Sequence, residues 1–63
     1  MMMSNERFRE LAEKADERAG TTGENHYVID EEWGLELISH DDLMDGIYAA
    51  TPRNAILYTA RGY

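Results

Sequence analysis

The sequence predicts a small α+β domain, ordered α-β-β-α-β, in which a three-stranded, largely antiparallel sheet carries two helices. Three observations predict it. An apolar stripe with helical spacing occupies the first 19 residues. The pattern then changes to β-branched, aromatic and alternating residues over 26–38, and a short second helical pattern leads across the only proline to one last β-rich run. With 63 residues in all, the chain is expected to be a single acidic domain, 1–63. A chain this short buries only about 60% of the surface it exposes when unfolded, so its core is thin.

Each element has its own grounds. In the first helix, expected over about 5–19, Phe8, Leu11, Ala12, Ala15 and Ala19 share one face. Glu6, Glu10, Glu13 and Glu17 share the opposite one. Ser4 is placed as the N-cap, and Gly20 as the residue that ends the helix in the left-handed conformation. Glu10 and Lys14 form a favourable pair one turn apart. His26-Tyr27-Val28-Ile29-Asp30 reads as a strand and Trp33-Gly34-Leu35-Glu36-Leu37-Ile38 as its antiparallel partner, with Glu31-Glu32 between them. Ser39-His40-Asp41-Asp42 resembles a capping box, Ser39 at N-cap and Asp42 at N3, opening a helix over about 40–50. Leu43, Met44, Ile47 and Tyr48 are its apolar face. Thr51-Pro52-Arg53-Asn54 breaks the chain, because the residue before proline is disfavoured in the helical region. Residues 55–60 form the last strand. Both helices are expected on one face of the sheet. Phe8, Leu11, Trp33, Leu35, Leu37, Leu43, Ile47, Ile56 and Tyr58 are expected in one core cluster.

Charge is unevenly distributed. The net charge is −7, from 13 acids against 6 bases. Residues 1–18 balance at −1, residues 19–52 hold eight acids and no Lys or Arg, and residues 53–63 hold two Arg and no acid. A run of one sign that nothing inside it neutralises costs stability through self-repulsion. It serves solubility, adaptation to high salt, or a basic partner.

Several classes of chemistry find no support. There is no Cys, hence no disulfide, thiol nucleophile or Cys-bound zinc. The start lacks the basic flank and apolar stretch of a signal peptide and no run is long enough to span a membrane, so a soluble cytoplasmic protein is expected. His40, Asp41, Asp42 and Asp45 match neither a calcium loop nor a zinc-binding helix motif, and no metal or cofactor is expected. Ser39 has a capping role, no Ser lies in a nucleophile-elbow setting, and Gly20-Thr21-Thr22-Gly23 lacks the Lys of a phosphate-binding loop. The six bases cannot assemble the positive stripe that supplies phosphate affinity, so direct nucleic-acid binding is not expected either.

The inverse arrangement fits better. The Glu stripe on the first helix rises in steps of roughly 4.5–6 Å, and carboxylates on one strand face repeat every ~6.6 Å. Both spacings approach that of successive phosphates along one nucleic-acid strand, and a groove built to neutralise phosphates is suited to such a surface. The candidate partner-binding residues are Asp30, Glu31, Glu32, Glu36, Asp41, Asp42 and Asp45, with Glu13, Glu17 and Glu24 beside them.

A tiny, Cys-free, strongly acidic domain with carboxylate arrays resembles the phage-encoded anti-CRISPR proteins of the DNA-mimic type. The resemblance spans the whole chain in size and charge pattern; no sequence motif carries it. It implies a non-enzymatic, monomeric inhibitor acting in the host bacterial cytoplasm, which blocks target-DNA binding by a CRISPR effector complex. Arg7, Arg9, Lys14 and Arg18 depart from such a mimic and point to 19–52 as its truer part. The alternative is an antitoxin-like or adaptor protein that binds a basic partner without competing with DNA, with Trp33, Tyr27 or Tyr63 as aromatic anchors.

Overall fold

A computed structural model of the chain describes residues 5–46 and 48–62. Helix α1 (Asn5–Thr22) is followed by strands β1 (His26–Glu31) and β2 (Gly34–Ser39). Helix α2 (His40–Asp45), a single 3-10 turn (Arg53–Ala55) and strand β3 (Ile56–Ala60) complete the chain. The sheet order is β2-β1-β3 and both pairings are antiparallel. The expected α-β-β-α-β order and mixed α+β class are those of the structure. Ser4, Ile47 and Tyr63 lie outside the described residues.

α1 runs three residues past the expected end at Ala19, through Gly20. The Thr21 and Thr22 hydroxyls donate to the Glu17 and Arg18 carbonyls at 2.9 and 2.8 Å, supporting the last turn. The left-handed step falls on Gly23 (φ 76°), whose N–H donates to the Ala19 carbonyl at 2.9 Å. That contact closes the helix one carbonyl at a time where its own ladder stops. On the surface of α1, Glu10 pairs with Arg7 at 3.9 Å; among the described residues the expected Glu10–Lys14 pair is not within ion-pair distance.

The hairpin turn also differs from expectation. Glu31 pairs with Gly34, so Glu32 and Trp33 form the turn and Trp33 does not start the second strand. Among the described residues only glycines have positive φ, and Gly34 takes φ 127° immediately after the turn. A turn of ordinary αR-type residues splays the strands, and a glycine with positive φ after it restores their twist.

Because β1 is central, successive side chains along it feed two different cores. On one face Val28 packs with Leu11, Ala15, Ala19 and Ala60, and Phe8, Leu35, Leu37 and Tyr58 close around them. Ala15 and Ala19 are small enough to bring α1 close to the sheet, and both are buried. Phe8 meets Tyr58 edge-on, ring centres 6.3 Å apart. On the other face Ile29 packs with Tyr27 and Ile38 under Leu43, Tyr48 and Ile56. The expectation of helices on one face and a single cluster is therefore corrected. A strand buried on both faces needs cover on both, and α2 with the segment after it covers the side that α1 does not. Trp33 leaves the core altogether, at 68% exposure.

β3 contains a bulge. Val28 pairs with Tyr58 but Ile29 pairs with Ile56, which leaves Leu57 unopposed and 41% exposed. A bulge bends an edge strand and blunts it as a template for further pairing. The other edge, β2, carries Glu36 in its middle.

Candidate protein-interaction surface

α2 is set by its cap. The Ser39 hydroxyl accepts from the Asp42 N–H and the Asp42 carboxylate accepts from the Ser39 N–H, both at 3.2 Å, so the expected capping box is present. The Glu24 carboxylate accepts from the Asp41 N–H at 3.3 Å, and the His40 N–H donates to the Asn25 carbonyl at 2.9 Å. These contacts tie the start of α2 to the segment entering β1. His40 Nδ1 also lies within hydrogen-bond distance of the Tyr27 hydroxyl, at 2.7 Å. Tyr27 is buried and engaged there, which removes it from the set of aromatic anchors. The helix itself is six residues long, not the eleven expected over 40–50.

The ten candidate carboxylates fall on several sides of the molecule. Glu13 and Glu17 are exposed on the outer face of α1 and, with Glu10 and Lys14, line a shallow recess there. Asp30 and Glu31 alternate on β1. Asp30 is exposed on the side of the sheet that carries α1, and half-buried Glu31 is on the side that carries α2. Glu32 is exposed in the turn, and Asp41, Asp42 and Asp45 are exposed on α2. Glu36, opposite Ile29 in the register, shares the α2 side and is half-buried.

One subset converges. Partial burial holds the Tyr48 phenol above its ordinary 10.0, and the nearby carboxylates of Glu36, Glu31 and Asp42 raise it further. Glu31 and Glu36 lie on the same side of the sheet as Tyr48, which packs over Ile29. The acidic residues from 30 to 45 do not form one contiguous patch: strand alternation sends Asp30 to the opposite face from Glu31 and Glu36, and the two ends of β2 are about 17 Å apart. Arg53 also enters the α2 side, lining a depression with Leu43, Met44 and Ile56. The cation-free stretch of sequence is thus less isolated in space than along the chain.

Two of the ten have structural duties as well. Asp42 caps α2, and Glu24 holds it in place. Asp16, outside the ten, accepts from the Tyr58 hydroxyl at 2.8 Å and holds that phenol above its ordinary value. Among the described residues none of the ten has a Lys or Arg within ion-pair distance. No group of three or more His, Asp or Glu among those residues is placed to hold a metal ion, and no helix there is long and apolar enough to cross a membrane.

The residue that sequence reasoning misplaced is Trp33. The signal was present in Gly34, since a glycine directly after two polar residues and one aromatic fits a turn that ends in positive φ. Comparison with protein-family models, curated proteins and solved structures finds no match.

Proposed function

We propose that this domain is a non-enzymatic binding protein that presents carboxylates to a basic, nucleic-acid-binding protein surface and keeps nucleic acid off it. The supporting observation is that the ten candidate carboxylates, spread over both sides of the sheet, have no Lys or Arg within ion-pair distance among the described residues. Isolated surface charges contribute little to affinity. Several facing a desolvated cationic groove contribute more, and they also speed encounter. In the finer reading, which rests on the resemblance to DNA-mimic inhibitors, the groove belongs to a CRISPR effector complex and its target-DNA binding is what is lost.

The test is a gel shift of purified effector complexes on labelled target duplex, with and without the domain. Loss of the DNA-bound band with wild type, and its return with Asp30, Glu31 and Glu32 all changed to Lys, is the expected result. A domain that binds the complex while DNA stays bound overturns the mimic reading and favours the adaptor.

A further inference from the structure

We propose that Trp33, displayed at the tip of the β1–β2 hairpin beside Glu31 and Glu32, anchors the interface by stacking its indole on an arginine guanidinium in the partner's groove. This inference rests on the reading above and names the partner's chemistry.

Neither core nor turn accounts for the residue. Among the described residues the largest fully buried side chains are Ile29 and Val28, so a fold short of bulk leaves Trp33, its largest apolar side chain, 68% exposed. The turn does not require an indole: positive φ is taken by Gly34, and small polar residues serve such turns better. An exposed Trp is a solubility liability unless a partner uses it, and Trp is over-represented among residues that dominate interface energetics.

The surroundings select the occupant. Asp30 and Glu32 are exposed, Glu31 is half-buried, and the three directly precede Trp33. A guanidinium can stack on an aromatic face while its edge donates two parallel hydrogen bonds to a carboxylate; an ammonium has no such plane. The hairpin is paired continuously from Glu31–Gly34 to His26–Ser39, so the tip is held by a rigid base and little ordering is lost on docking. A second copy of a −7 chain would set this acidic tip against another acidic surface.

The chain has one Trp, so its fluorescence reports this position alone. The probes are an oligo-arginine and an oligo-lysine peptide of equal length, titrated by calorimetry at several salt concentrations, with indole quenching read in the wild type. Wild type is expected to bind oligo-arginine more tightly than oligo-lysine, with the indole becoming protected from acrylamide quenching. Trp33→Ala should weaken oligo-arginine binding roughly 3- to 30-fold and erase the preference. Its salt dependence should stay that of wild type, because the carboxylates remain. Trp33→Leu should erase the preference too, and full preference in that variant overturns the stacking. Unchanged, salt-sensitive binding by Trp33→Ala overturns the anchor and leaves the acidic-surface reading standing. Failure of wild type to bind either peptide at low salt overturns both. Protection that grows with protein concentration alone, or with phosphatidylcholine vesicles alone, assigns the tip to a second copy or to lipid and overturns the proposal.

Discussion

Ile29→Val tests the two-sided core at its centre. Ile29 is fully buried beneath Leu43, Tyr48 and Ile56, on the side of the sheet away from α1. Removing one methylene from such a site costs about 0.5–1.5 kcal/mol. A chain of 63 residues has about 3–9 kcal/mol of stability in total, so that loss is a substantial fraction. One kcal/mol moves the midpoint of a domain this small by about 4–8 °C, so a drop of several degrees is expected. Ile29→Ala should cost about 2–5 kcal/mol and leave much of the protein unfolded. Leu37→Ala should cost less than Ile29→Ala, because Leu37 is half-buried at the margin of the other core. Far-UV circular dichroism during urea and thermal unfolding is the assay. Trp33 emission is a poor probe here, since the indole is exposed before unfolding begins. A melting point of Ile29→Val equal to wild type, or a larger loss for Leu37→Ala than for Ile29→Ala, would refute the placement of that core.

Ser39→Ala should cost about 0.5–2 kcal/mol through loss of the cap on α2, measured by urea unfolding, and a neutral result would show that the capping box contributes nothing. Gly62→Ala should destabilise by about 1–3 kcal/mol, because a Cβ there would run into the backbone of Gly23 and Glu24; unchanged melting would contradict that close approach. Tyr58 holds its proton more tightly when folded, through its hydrogen bond to Asp16, so the stability this contributes is complete below the unfolded value near 10.0 and is lost as pH rises through the higher folded value. Tyr58→Phe should therefore show a smaller loss of melting temperature above pH 10.0 than wild type, and an identical alkaline profile would contradict the linkage.

What was legible in the sequence was what depends on neighbours along the chain. The α1 stripe from Phe8 to Ala19, the Ser39–Asp42 cap and the Leu35/Leu37 alternation all rest on local periodicity or local hydrogen bonding, and all appear in the structure. What was not legible depends on partners far apart. Tyr27 and Ile29 looked like half of an ordinary strand, yet β1 lies between two others and its second face needs cover from α2 and Ile56. Trp33 reads as a core residue in the sequence because large apolar side chains are scarce here, and its turn position overrides that preference. The charge run from 19 to 52 was plain, but alternation along β1 and the return of Arg53 divided it in space. The Tyr58–Asp16 and Glu24–Asp41 links join residues 42 and 17 positions apart, which no local pattern encodes.

The most direct measurement is capture of partners from bacterial lysate by immobilised domain, followed by elution with a short DNA duplex at fixed salt. If the carboxylates stand in for phosphates, the duplex releases the captured protein, and the domain with Asp30, Glu31 and Glu32 changed to Lys captures much less of it. Reversal at Glu6, Glu10 and Glu13 should do less, since Arg7 and Arg9 already dilute that stretch. A captured protein that DNA does not displace, and that the reversed domain retains equally well, would contradict the account.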